Sequence, residues 1–178
     1  MKNNALKNMI LSAVLLAVGM VLPMLTMQVK EIGDSLLPMH IPVLLCGILC
    51  GWQYGGFIGL GVPVLRSGFC GMPPIYPNAV WRALELAAYG VAIGLVYAVF
   101  KKKNILAVYV SHVSAMLLGR VVWGVAKAVL LGVGGKPFTF AMFWIGGFAD
   151  AVPGIILQLI LIPLLVTVLN KVWRTKND

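Results

Sequence analysis

Long runs of apolar residues, broken by short polar or glycine-rich stretches, are the feature that most constrains how this chain folds. From Ser35 to Leu65 there is no Asp, Glu, Lys or Arg. Over the 178 residues, 61% are hydrophobic and 11% are charged, against roughly 25% charged in an ordinary soluble domain. So few polar side chains cannot cover a surface that faces water, and the exterior must face lipid. The sequence therefore predicts an all-α integral membrane protein.

The apolar runs divide into six predicted membrane-spanning helices. A helix needs about 20 mainly apolar residues to cross a bilayer. The charge-free stretch is too long for one span and short for two, so we divide it at Trp52-Gln53-Tyr54, which glycines flank. Three prolines make residues 71–78 (GMPPIYPN) a loop. The predicted spans of this single domain, residues 1–178, are 5–27, 38–51, 54–69, 79–100, 105–131 and 140–169.

Basic residues at the ends of the runs indicate how the chain is oriented. Cytoplasmic segments of membrane proteins are enriched in Lys and Arg. Six spans with both termini in the cytoplasm place the large basic clusters on that side, whereas five spans would leave one of them outside. The predicted cytoplasmic cations are Lys2, Lys7, Lys101, Lys102, Lys103, Lys171, Arg174 and Lys176.

The net charge of +9 does not indicate a nucleic-acid-binding protein. The cations lie at the ends of apolar runs, and no stretch interleaves basic and aromatic residues on a polar background. Cys46, Cys50 and Cys70 form no CxxC pair and are expected to be reduced thiols. A zinc site using Cys46, Cys50 and His40 would lack a nearby carboxylate or second histidine, so no metal or cofactor is expected.

Apart from Lys7 at the start of the first span, six charged residues fall inside the predicted spans, where each costs about 2.5–3.5 kcal/mol at a helix centre. They are therefore expected to face the protein interior, to pair with each other or to line a wet cavity. Given the directions of the helices, all six lie in the outer half of the membrane, although they come from four spans. This asymmetry predicts a binding cavity that opens to the outside. The residues are Arg66, Arg82, Glu85, Arg120, Lys127 and Asp150.

Helical spacing groups these charges with aromatic residues, because positions three or four apart share a helix face. Arg82, Glu85 and Tyr89 share a face of the fourth span. Another face, on the fifth span, carries His112, Met116, Arg120, Trp123 and Lys127. The predicted substrate-binding residues are Arg66, Arg82, Glu85, Tyr89, Arg120, Trp123, Lys127, Trp144 and Asp150.

The same charges also admit a purely structural interpretation. In it, Arg82–Glu85 and Arg120–Asp150 are buried pairs that hold helices together without a ligand. The whole set fits this interpretation less well, because four cations face only two carboxylates. A ligand with an anionic or hydrogen-bond-accepting group would correct the imbalance.

Motifs of ATP-driven motors and of common hydrolases are missing from the sequence. It contains no G-x-x-x-x-G-K-[ST], no H-E-x-x-H and no G-x-S-x-G. The chain is therefore not expected to be an enzyme, and a membrane enzyme acting on a lipid head group is the alternative class. A binding cavity without a motor implies a partner that supplies one.

Small residues on the first span offer a surface for such a partner. Ala13 and Ala17 have the small-xxx-small spacing that lets another helix approach closely, and they are the predicted partner-binding residues. The same spacing continues further along the chain at Gly47, Gly51, Gly55 and Gly59.

Two segments, LPMHIPVLLCGILCGW (residues 37–52) and GMPPIYPNAVWRALELAAYG (residues 71–90), resemble the substrate-binding S components of energy-coupling factor (ECF) transporters. These are bacterial vitamin importers, and the resemblance extends over essentially the whole chain. It implies a multi-pass protein of the bacterial cell membrane that works with a transmembrane coupling subunit and two ATPase subunits. It also implies that Ala13 and Ala17 face the coupling subunit and that the loops 28–37 and 68–78 cover the substrate.

The mixed charge of the predicted site suits a zwitterionic or anionic vitamin. Pyridoxine-type molecules (vitamin B6), with a ring nitrogen and an acidic ring hydroxyl, fit this mixture and are the first candidate. Pantothenate would use the excess of cations through its carboxylate, and a related pyrimidine or niacin is a further alternative.

Overall fold

A computed structural model describes residues 2–26, 37–71, 74–102, 104–135 and 137–175. Within these ranges the chain is helical and has no strand, which agrees with the predicted all-α membrane class. A kinked segment, Ile75–Ala79, in which Tyr76 is extended (φ −117°, ψ 135°), and a π-helical turn, Ile145–Ala149, lie between helices. The helices are α1 (Lys2–Thr26), α2 (His40–Cys50), α3 (Trp52–Cys70), α4 (Val80–Val99), α5 (Ile105–Val133), α6 (Phe140–Trp144) and α7 (Val152–Thr175).

Among the described residues, four helical stretches are long and apolar enough to cross a membrane. By contrast, α2 has 11 residues, so its length of about 16 Å is roughly half the thickness of the hydrocarbon core. Six full spans and two cytoplasmic termini therefore remain predictions. The four stretches are Ala5–Leu25, Ile75–Val99, Ile105–Val133 and Val152–Leu169.

The break between α2 and α3 lies at a single glycine. Gly51 has φ +100°, a conformation that side-chain-bearing residues rarely adopt, and its carbonyl accepts a hydrogen bond from the Gly55 amide at 3.0 Å. Trp52 already belongs to α3. The turn therefore lies at Gly51, one residue before the predicted Trp52-Gln53-Tyr54, because Gly51 adopts the positive φ that separates the two helices.

The sixth predicted helix, 140–169, is interrupted in its first half. The π-helical turn Ile145–Ala149 is followed by turn residues Asp150 and Ala151, and only then does α7 begin at Val152. Pro153 has no N–H to donate to the carbonyl of Ala149, so an α-helix through this point would lack one hydrogen bond, and the break falls just before it. The prediction of a single unbroken helix was wrong here.

The short helix α2 forms the core of the described residues. Ten of its 11 residues are buried, and it packs against α1, α3, α4 and α7. A helix that is apolar on all sides is expected to be buried on all sides. Val43 and Leu44 have no exposed surface, like Leu86 of α4 and Ile162 of α7. Because α2 is central, its first residue, His40, lies inside the protein.

Glycines allow α2 and α3 to pack closely against α4. A Cβ atom on Gly55 would lie 2.7 Å from the carbonyl oxygen of Gly90, and a Cβ on Gly47 would lie 2.6 Å from the same oxygen. On Gly59, a Cβ would collide with the backbone of Leu86. Three of the four glycines whose spacing suggested an external docking surface are therefore used for packing inside the protein.

Adding one methyl group at the centre of this interface is expected to destabilise the protein. In Gly90→Ala the new Cβ meets the backbone carbonyl of Gly55, which cannot rotate away, and overpacking of this kind costs about 1–3 kcal/mol. The measurement is thermal unfolding of the purified protein in detergent, where the variant should melt at a lower temperature.

Gly68→Ala is the matched control, because Gly68 lies in α3 with nothing within 4 Å of its Cβ position. An alanine there should leave the melting temperature unchanged or raise it, since alanine favours helix by roughly 1 kcal/mol over glycine. Equal melting temperatures for the two variants would contradict the close packing of α3 on α4.

Candidate functional site

A cluster of polar side chains lies buried between α2, α4 and α5. The carboxylate oxygen Oε1 of Glu85 accepts a hydrogen bond from Nη1 of Arg120 at 3.1 Å, and Nε2 of His40 lies 3.5 Å from the same oxygen. The His40 ring meets the ring of Tyr89 edge-on, with centroids 4.9 Å apart. At most 4% of any of these residues is exposed. We call His40, Glu85, Tyr89 and Arg120 the buried polar cluster.

Local structure explains how the cluster is assembled. Glu85 and Tyr89 are four residues apart on α4, so they project from one face of that helix. Gly119 precedes Arg120 on α5, and a Cβ there would collide with ring carbons of Tyr89. The missing side chain lets Tyr89 pack directly on α5, which brings Glu85 within reach of Arg120.

Several nitrogen atoms at this depth have no hydrogen-bond partner within the described residues. They include Nε and Nη2 of Arg120, Nδ1 of His40 and both ring nitrogens of His112, which lies on α5 two turns before Arg120. A buried donor or acceptor without a partner costs about 1–3 kcal/mol, and more when the group is charged. The cluster therefore combines one strong ion pair with unused hydrogen-bonding capacity.

A second group of site residues surrounds the ammonium of Lys127. Its Nζ lies 4.6 Å from the ring centroid of Trp123 and 5.6 Å from those of Trp81 and Phe138. The three rings come from α4, α5 and the segment before α6, so one cation connects three elements. We call Lys127, Trp81, Trp123 and Phe138 the lysine cage.

The remaining predicted residues lie in different surroundings. Arg66 is buried in α3, and Arg82 is half-buried near the start of α4. Asp150 is exposed at the break before α7. Trp144 is 57% exposed and stacks on Phe148, with centroids 5.1 Å apart. The structure thus brings Glu85, Tyr89 and Arg120 into one cluster and Trp123 and Lys127 into another.

The pairing suggested for Arg120 is different in the structure. Its ion-pair partner is Glu85 of α4, whereas Asp150 lies at the surface. The purely structural interpretation paired Arg120 with Asp150, but Asp150 lies in the interruption between the π-helical turn and α7. Gln158, further along the same run, is buried and donates to the carbonyl of Leu37 at 3.5 Å.

Sequence reasoning gave no site role to His40, His112 or Phe138. His40 is the one histidine of the charge-free stretch that starts at Ser35, and this isolation was a usable signal for a polar group in the core. No comparable signal marked Phe138, which takes part only because its segment folds back over Lys127.

Ala13 and Ala17 are exposed on α1, on the side away from α2 and α3. Of the loops expected to cover a substrate, residues 28–36 lie outside the described residues, as do residues 72 and 73.

The cysteines Cys46, Cys50 and Cys70 are free thiols. Among the residues with described positions, no three His, Cys, Asp or Glu side chains are grouped to hold a metal ion.

The ion pair is expected to be energetically coupled. Arg120→Met leaves the Glu85 carboxylate buried without its cation, which should cost about 3–5 kcal/mol, and Glu85→Leu likewise strands Arg120. The double variant removes both charges and should recover most of that loss. Thermal unfolding of the single and double variants measures the coupling. If the stability losses of the two single variants simply add in the double variant, the pair is not coupled. Lys102→Met removes an exposed cation and is the control, which should leave the melting temperature unchanged.

A protein-family model matches most of this chain. The model is described as the substrate-specific component of ECF transporters, and it matches residues 7–166. No curated protein and no solved structure gives a significant match. The family match confirms the resemblance noted from the two sequence segments.

Proposed function

Because this chain belongs to the substrate-specific components of ECF transporters, we propose that it binds a water-soluble vitamin within the membrane for import. Members of the family are multi-pass transporter subunits rather than enzymes. Membership implies a small-molecule substrate and association with a transmembrane coupling subunit and ATPase subunits. The proposed location is the bacterial cell membrane, with both termini in the cytoplasm.

The observation that carries this proposal is the buried polar cluster. Burying an arginine, a glutamate and a histidine within apolar helices costs free energy. Ionisable residues inside membranes commonly mark substrate sites. Their unused nitrogen atoms supply hydrogen bonds that a polar ligand could accept or donate. We place the substrate at this cluster, with the lysine cage as an outer part of the same site.

A small heterocyclic vitamin is the proposed substrate, and pyridoxine is the first candidate from the mixed charge of the site. Histidine, tyrosine and tryptophan rings border the two groups of site residues, and such rings stack on flat ligands. Pantothenate is the second candidate, because its carboxylate suits the four cations, Arg66, Arg82, Arg120 and Lys127, that accompany two carboxylates in the helices.

The purified protein is expected to bind its vitamin saturably without ATP. Thermal-shift measurements in detergent with a panel of B vitamins should show one that raises the melting temperature. Arg120→Ala and Glu85→Ala should each weaken its binding at least about tenfold, because each removes a charged hydrogen-bonding group from the site. Glu85→Gln keeps the shape of the side chain and separates loss of charge from loss of packing.

The control for these variants is Lys102→Ala, an exposed position outside the site, which should bind with unchanged affinity. Unchanged affinity in both Arg120→Ala and Glu85→Ala would remove the buried polar cluster from the site. If no vitamin of the panel changes the melting temperature, vitamin binding itself is wrong.

The exposed face of α1 is the proposed contact with the coupling subunit. Ala13→Leu/Ala17→Leu adds bulk where a neighbouring helix must approach closely, so co-purification with the coupling and ATPase subunits should fall at least about tenfold. Vitamin binding by the isolated variant should be unaffected. Ala98→Leu, at an exposed alanine of α4, is the matched control and should co-purify normally. Normal co-purification of the double variant would move the contact elsewhere.

A further inference from the structure

One edge of the Arg120 guanidinium is unused and completely buried. Arg120 reaches Glu85 through Nη1. The other two nitrogens, Nε and Nη2, are both shielded from solvent and have no hydrogen-bond partner among the described residues. These two form the side of the guanidinium opposite Cδ and Nη1, and their N–H bonds run nearly parallel. Neither nitrogen of this edge makes a hydrogen bond of ordinary geometry within the described chain, although the Tyr89 hydroxyl interacts with the same guanidinium.

The geometry of this edge favours a ligand group with two neighbouring acceptor oxygens, as in a carboxylate or a phosphate. Two parallel N–H donors match the two oxygens of a planar carboxylate, which can accept both hydrogen bonds at once. A ring nitrogen has one lone pair and can accept only one of these two hydrogen bonds, and a single hydroxyl oxygen can accept both only in a bent, weaker geometry. A neutral heterocycle such as pyridoxine would therefore satisfy this edge less well than a carboxylate.

Charge in the surrounding helices favours the same group. The membrane-embedded charges comprise four cations, Arg66, Arg82, Arg120 and Lys127, and two carboxylates, Glu85 and Asp150. Glu85 already pairs with Arg120, and Asp150 is exposed at the break before α7. In this count the cations outnumber the carboxylates by two, so a ligand carboxylate reduces the imbalance.

We propose that the substrate carries a carboxylate that binds side-on to the Nε–Nη2 edge of Arg120. This inference rests on the proposed function and narrows it, since it favours an acid-bearing vitamin over a neutral one. Glu85 then acts as a positioning residue, because its hydrogen bond to Nη1 fixes the plane of the guanidinium and turns the free edge towards the ligand.

The test compares each acid with an analogue that lacks the carboxylate, which we call its neutral twin. Nicotinate and nicotinamide, pantothenate and panthenol, and 4-pyridoxate and pyridoxine form three such pairs. Binding to the full-length protein in detergent is measured by calorimetry and thermal shift. One acid should bind at least about 100-fold more tightly than its neutral twin, since a site built for two hydrogen bonds rejects a ligand that cannot complete them.

Arg120→Lys sharpens the comparison, because lysine keeps the positive charge but has no two-donor edge. This variant should lose at least about tenfold in affinity for the acid and little for the neutral twin. Lys102→Gln, at an exposed lysine, should change neither affinity. If Arg120→Lys does not fold, the acid and neutral affinities of the unmodified protein decide the question alone.

A neutral twin that binds as tightly as its acid would overturn the carboxylate inference and leave vitamin binding intact. Unchanged affinity of a folded Arg120→Lys variant for the acid would do the same. Binding of none of the acids also overturns the inference. If a neutral vitamin binds in that case, the proposed function stands without the carboxylate inference. If no vitamin binds at all, the inference and the proposed function are both wrong.

Discussion

The ion pair between Arg120 and Glu85 constrains the rest of the structure more than any other interaction. Both side chains are buried in helices whose outer surfaces are apolar, and neither could be transferred to lipid without its partner. Helices α4 and α5 must therefore stay together around the pair. His40 adds a donor from α2 to the same carboxylate oxygen, so three helices are held by one acidic group.

Close backbone contacts make that arrangement rigid on one side of the protein. Glycines let α2 and α3 lie against α4, and Gly119 lets Tyr89 lie against α5. On the other side, none of the residues of α6 is buried. Glu85 and Arg120 thus project from the tightly packed helices, whereas Phe138, which completes the lysine cage, comes from the lightly packed segment before α6. In the proposed binding site, the polar side chains therefore come from closely packed helices, and one ring of the lysine cage comes from a lightly packed segment.

The sequence predicted the neighbours of a site residue where its helix is continuous, and not where the helix is interrupted. The three- and four-residue periods of α4 and α5 correctly group Glu85 with Tyr89 and Trp123 with Lys127, because both helices run without a break. The same reasoning fails after Phe140, where a π-helical turn and Pro153 alter the direction of every side chain before α7. The contacts of His40 depend on how α2 lies among its neighbours, which no local pattern specifies.

The arrangement of helices also determines how the exposed face of α1 is connected to the site. Helix α1 packs against α2 and α3, and the side chain of Asn8 donates to the carbonyl of Cys50, the last residue of α2, at 3.4 Å. The first residue of α2 is His40, which contacts both Glu85 and Tyr89. The buried helix α2, about 16 Å long, therefore lies between the face of α1 proposed to contact the coupling subunit and the cluster proposed to bind the substrate. Packing through this one helix is a contiguous physical connection between the two proposed surfaces.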